Sequence, residues 1–159
     1  MRAIAAIIAL FIAGGCAAPA SSAADATGGV TLRLQMFDTE GGAAALYEVA
    51  RDGTLGFGGG ADARLDTIAW TGAMTAEEIA ELRAALEAQQ WFEPAPTGSG
   101  EPKTLTYRVD LRRPSGHVRF RATGQCPPVE AVLTVLDRIA RKRFEPFMQT
   151  LPRPGERSN

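Results

Sequence analysis

Two well-separated stretches of this chain alternate between apolar and polar side chains with a period of two. Residues 30–37 place Val30, Leu32, Leu34 and Met36 on one face and Thr31, Arg33 and Gln35 on the other. Residues 104–111 do the same with Leu105, Tyr107, Val109 and Leu111. After Pro114-Ser115-Gly116, Val118 and Phe120 return on that same face, and a two- or four-residue connection preserves the parity. Such segments are half-buried strands, and their dry face needs a covering layer.

The remaining segments supply more strands and that layer. Residues 44–51 and 54–57 flank Asp52-Gly53, a two-residue hairpin signal. That register sets Ala50 opposite Leu55 but also Glu48 opposite Phe57, so the faces are mixed. The glycines at 58–60 end the pairing, and residues 65–70 are expected as a fourth strand. Thr75 and Glu78 have the spacing of a capping box, and Met74 is placed to staple onto Ile79. Ile79, Leu82 and Leu86 form the inward stripe of that helix, and Pro94 and Pro96 close the segment. Pro127-Pro128 opens a second helix with Val129, Val132, Leu133, Leu136, Ile139 and Phe144 as its stripe, expected to end at Pro146. The order βββ(β)α-ββα predicts a two-layer α+β domain, with an antiparallel sheet of about five or six strands in hairpins and two helices on one face.

The first thirty residues read differently. Residues 3–13 are an eleven-residue apolar run behind Arg2. A bilayer of about 30 Å takes roughly 20 helical residues, so the run has the size of an export-signal core instead. Ile12-Ala13-Gly14-Gly15-Cys16 then resembles the lipobox of bacterial lipoprotein precursors. The usual Leu three residues before the cysteine is Ala13 here, and Arg2 is the lone positive charge of the n-region. The resemblance implies cleavage before Cys16, acylation of Cys16 and membrane attachment; no cofactor is expected. Ala17 in place of Asp implies transfer to the outer membrane, facing the periplasm. Each buried CH₂ contributes about 0.8 kcal/mol, so two or three acyl chains hold essentially permanently. Secretion after cleavage at Ala18 or Ala20, and a buried apolar N-terminal helix, are the competing readings. Residues 1–15 are thus expected as signal, 16–29 as lipidated cysteine and tether, 30–150 as the domain and 151–159 as a frayed tail. The tether composition, AAPASSAADATGG after Cys16, is too small and polar to bury itself.

Charge is divided along the chain. Residues 30–101 carry four Arg against twelve Asp or Glu, and residues 104–143 carry nine Lys or Arg against three acids. Arg108, Arg112, Arg119 and Arg121, with His117, share one strand face broken by Asp110. They form a candidate surface for an anionic lipid head group, a cell-wall polymer or an acidic envelope protein. A solvated sheet face is the plain alternative. A net charge of −1 argues against nucleic acid as a partner. Arg138, Arg141, Lys142 and Arg143 suit the negative end of the second helix.

Three other features bear on chemistry. Gly56-Phe57-Gly58-Gly59-Gly60 lacks the Gly-Lys-Ser/Thr of a phosphate loop, and no helix is expected to begin there. His117 is the single histidine and has no metal-ligand spacing around it, so no metal site is expected. Cys126 precedes a helix start, where amides and the helix dipole lower a thiol pKa. It is therefore a candidate reactive thiol with His117 as base, and a thiol-dependent enzyme is one alternative function. A buried structural cysteine and an intermolecular disulfide are the others.

The core pattern also resembles the emfourin type of small bacterial domain, inhibitors of thermolysin-like proteases. The residues that carry this are the alternating first strand, Met74-Thr75-Ala76-Glu77-Glu78-Ile79-Ala80-Glu81-Leu82, Gln90-Trp91-Phe92, Thr106-Tyr107-Arg108-Val109 and the Pro-led last helix. The loop of residues 58–64 and the anchor depart from that pattern. The resemblance implies a periplasmic protease inhibitor or protein-interaction module and transfers no inhibitory residue. The leading expectation is a non-catalytic, membrane-anchored binding or structural module.

Overall fold

The computed structural model describes residues 25–91, 96–98 and 104–150, with side chains up to residue 142. Strands β1 (Thr31–Asp38), β2 (Ala44–Val49), β3 (Thr54–Gly59), β4 (Trp70–Ala73), β5 (Leu105–Arg113) and β6 (Gly116–Thr123) form one sheet in the order β4-β3-β2-β1-β5-β6. Every neighbouring pair is antiparallel. Helices α1 (Ala61–Arg64), α2 (Ala76–Ala88) and α3 (Pro127–Thr150) complete the α+β domain. The expected signal segment, Cys16 and the final residues 151–159 lie outside the described residues.

The alternating segments become the central strands. Leu32, Leu34, Tyr107, Val109 and Leu111 are buried on one face, and Leu82, Leu86, Val129, Val132, Leu136 and Ile139 of α2 and α3 meet them there. Trp91 is fully buried at the end of the α2 segment, edge-on to Phe120 at 5.6 Å. The Thr75 hydroxyl accepts from the Glu78 amide at 3.2 Å, and the Glu78 carboxylate accepts from the Thr75 amide at 2.9 Å. Both halves of the capping box are present, which fixes where α2 begins. The Glu81–Arg138 ion pair ties α2 to α3.

Local structure departs from expectation at five points. The β2–β3 connection has three residues, not two: the Ala50 amide donates to the Thr54 carbonyl at 2.9 Å, and Gly53 takes φ +83°. The pairing slips by one, so Val49 faces Leu55 and Tyr47 faces Phe57 with ring centroids 5.2 Å apart. One residue of slip exchanges the two faces of a strand, and the slip leaves Glu48 opposite Gly56 on the other side. Strand β3 runs on to Gly59, and the fourth strand is Trp70–Ala73 rather than residues 65–70. Leu65, the first residue of the expected strand, is 76% exposed. Helix α3 continues through Pro146 to Thr150, because a proline removes one backbone donor without dictating the end of a long helix. There are three helices, and α1 lies on the face opposite α2 and α3, over a small second cluster of Ala44, Leu46 and Ala63.

Helix α1 begins directly after the glycine-rich run, where no helix was expected, and that run explains how α1 sits there. A Cβ on Gly58 would stand 2.2 Å from the Thr67 carbonyl oxygen, and one on Gly56 would stand 3.1 Å from Ile68 Cγ2. The glycines are bare strand on which the segment after α1 lies directly. At the N-terminal side, the Thr27 hydroxyl donates to the Val30 carbonyl at 2.7 Å and the Thr27 amide to the Arg51 carbonyl at 3.1 Å. Residues 25–29, expected as the last part of a tether, are therefore docked on the domain.

Candidate functional site

The outer face of the sheet is divided in two. Over β2 and β3 it is covered by α1 and the segment after it. Over β1, β5 and β6 it is open, and the uncovered half makes a cleft of about 660 Å³ beside the α1 edge. Gln35, Phe37 and Arg108 form its floor, Arg64 and Asp66 stand on the α1 side, and Arg119 and Arg121 on the β6 side.

Strand parity brings the charged residues together. On β5 and β6, Arg108 pairs with Arg121, Asp110 with Arg119 and Arg112 with His117, all on the outer face. This is the grouping that alternation alone placed on one face. The Arg119 Nε donates to Asp110 Oδ2 at 2.8 Å, His117 Nε2 stands 2.8 Å from Asp110 Oδ1, and Arg112 Nε is 3.7 Å from that oxygen. Burial pushes the Asp110 carboxyl up, but the hydrogen bonds from Arg119 and His117, with their charges, outweigh it and hold it below the usual carboxylate range.

Residues outside the expected set complete the cleft. Arg33 pairs with Glu48 at 2.7 Å and with Asp66 at 2.8 Å. Asp66 has φ +59°, a conformation that aspartate tolerates better than most residues, and this turns its carboxylate toward β1. The Gln35 amide donates to the Ala63 carbonyl at 2.9 Å and to Asp66 at 3.2 Å, fixing α1 to the sheet. The Arg108 guanidinium lies over the Phe37 ring at 5.5 Å, a cation–π contact. The parity of β1 placed Arg33 and Gln35 on this face, but nothing local marked Asp66 or Arg64 as their neighbours.

Cys126 occupies a different place. It is fully buried in the main core, on the helical side of the sheet, whereas His117 is on the outer side bonded to Asp110. The sheet separates the thiol from its expected base. Burial pushes the Cys126 thiol up, and the nearby Glu130 carboxylate adds to that. The Glu130 carboxylate accepts the Cys126 amide at 2.9 Å and the Tyr107 hydroxyl at 3.1 Å. Because α3 runs on to Thr150, Arg138, Arg141, Lys142 and Arg143 stand along its middle and not at its negative end as expected; Arg138 pairs with Glu81, and Arg141 with Asp137 at 2.8 Å.

Among the described residues, no cluster of three or more His, Cys, Asp or Glu is placed to hold a metal ion, and no helix is long and apolar enough to cross a membrane. The chain matches no protein-family model, and no curated protein matches it.

Proposed function

We propose that this protein is a lipid-anchored component of a bacterial envelope whose domain binds an anionic partner through the open outer face of its sheet. The anchor is Cys16, at the end of the apolar run and small-residue site of residues 3–15, and Ala17 directs it to the outer membrane, facing the periplasm. The domain is a non-catalytic binding module. The observation that carries this reading is the one-sided cleft lined by Arg108, Arg119 and Arg121, in a chain with no comparable excess of positive charge overall. The burial of Cys126 away from His117 supports it, because a nucleophilic thiol needs access and a base.

Two measurements test it. Intact mass of the mature protein is expected to show a chain starting at Cys16 with acyl adducts, and Cys16→Ser is expected to leave the membrane fraction. Crosslinking in intact cells followed by mass spectrometry is expected to capture an acidic envelope component through the native outer face, with capture reduced in the variant that replaces Arg108, Arg112, Arg119 and Arg121 together by Gln. A mature chain that starts elsewhere and carries no lipid overturns the anchor. Equal capture by native chain and variant overturns the binding face.

A further inference from the structure

Arg108 and Arg121 stand directly opposite one another across β5 and β6, both exposed on the outer face. Like charges in directly opposed positions destabilise a strand pair. The rest of this ribbon avoids that cost. Asp110 serves Arg119, His117 and Arg112, and Asp66 with Glu48 serves Arg33. Among the described residues, Arg108 and Arg121 alone of the outer-face arginines on β1, β5 and β6 make no salt bridge to a carboxylate. Arg108 is also oriented by the Phe37 ring at 5.5 Å, so one fork is positioned in advance.

We infer that the Arg108–Arg121 pair is a binding site for a phosphate ester, whose oxygens bridge the two guanidinium groups. This rests on the binding-module reading above and gives its ligand a chemical class. A single arginine fork satisfies a carboxylate through two parallel hydrogen bonds. Two forks side by side suit an anion with more oxygens and up to two negative charges, which a phosphate group supplies. The cleft of about 660 Å³ is much larger than a bare phosphate, so it has room for the organic group of an ester beside Phe37. Asp110 and Asp66 border the site and are engaged by other cations, so they repel the ligand less than free carboxylates would.

The test uses the full chain and the variant Arg108→Gln/Arg121→Gln. Inorganic phosphate, compared with chloride at equal ionic strength, is expected to raise the melting temperature of the native chain by about 3 °C or more near saturation. The variant is expected to lose that shift. Phosphate also strengthens burial generally, and the variant carries that background. Without phosphate, at low salt, the variant is expected to melt no lower than the native chain, because the opposed charges are gone. An equal shift in both proteins, or no shift in either, overturns the site. Phosphatidylcholine vesicles with and without phosphatidic acid, whose head group is a phosphate monoester, then identify the source: sedimentation of the native chain and not the variant with phosphatidic acid present assigns a lipid head group, and phosphate protection without sedimentation assigns a soluble ester. Crosslinked capture of a partner that persists in Arg108→Gln/Arg121→Gln, with no phosphate shift, overturns this site and leaves the binding-module reading standing.

Discussion

The Tyr107 hydroxyl of β5 donates to Glu130 Oε1 of α3 at 3.1 Å, fastening the sheet to the first turn of the last helix. Tyr47 makes the parallel contact from β2, donating to Asp137 two turns further along at 3.3 Å. Both phenols are buried beside a carboxylate, and burial, then the carboxylate charge, raises their ionisation well above the ordinary tyrosine range.

Alkaline stability follows from those two contacts. A pKa raised on folding contributes stability that is complete below the unfolded value and lost as pH rises beyond it. The unfolded value is about 10. The urea midpoint is therefore expected to fall steeply above about pH 10. Tyr47→Phe/Tyr107→Phe is expected to flatten that fall, at a cost of about 1 kcal/mol per hydrogen bond at pH 7.

Asp110 sets the opposite dependence. Its folded pKa is lowered, so its contribution is present above the unfolded value of about 3.9 and lost as pH falls through the folded one. Asp110→Asn is expected to cost about 1 kcal/mol at pH 7 and to flatten the acid limb of the stability profile. It also removes a negative charge from the arginine face, so phosphate affinity is expected to increase in a titration at low salt. Unchanged or weaker affinity would count against electrostatic attraction to that face.

The glycines of β3 make a graded prediction. Gly58→Ala forces a Cβ against the Thr67 carbonyl at 2.2 Å, a backbone atom, whereas Gly56→Ala meets Ile68 Cγ2 at 3.1 Å, the branch of a side chain. Gly58→Ala is expected to be the more destabilising, by about 2 kcal/mol or more. Thermal melts of the two variants check the order, and equal melting temperatures would contradict the close approach of the segment after α1.

The Cys126 thiol is fully buried and held protonated by its surroundings. Iodoacetamide is expected to leave it unmodified in the folded protein at pH 8 and to label it once urea unfolds the chain. Mass spectrometry of the peptide reads the outcome directly. Rapid labelling of folded protein would restore the reactive-thiol reading.

The sequence by itself determined the elements that obey a clear local period. Alternation placed Leu32, Leu34, Tyr107, Val109 and Leu111 in the core and grouped Arg108, Arg112, His117, Arg119 and Arg121 on the opposite face. The Thr75–Glu78 box located the start of α2, because both partners are three residues apart and need nothing else. Tertiary structure decided what depends on residues distant in the chain. The hairpin at residues 51–53 slipped by one because packing Tyr47 on Phe57 and Val49 beside Leu55 outweighs the two-residue turn signal of Asp52-Gly53. Helix α1 has four residues, too few to show a period, and it forms by packing its own Ala63 on Ala44 and Leu46 of β2. That covering of half the outer face turns a row of arginines into a cleft. It also brings Asp66 and Gln35 together, 31 residues apart in the chain, through a contact that no local pattern encodes.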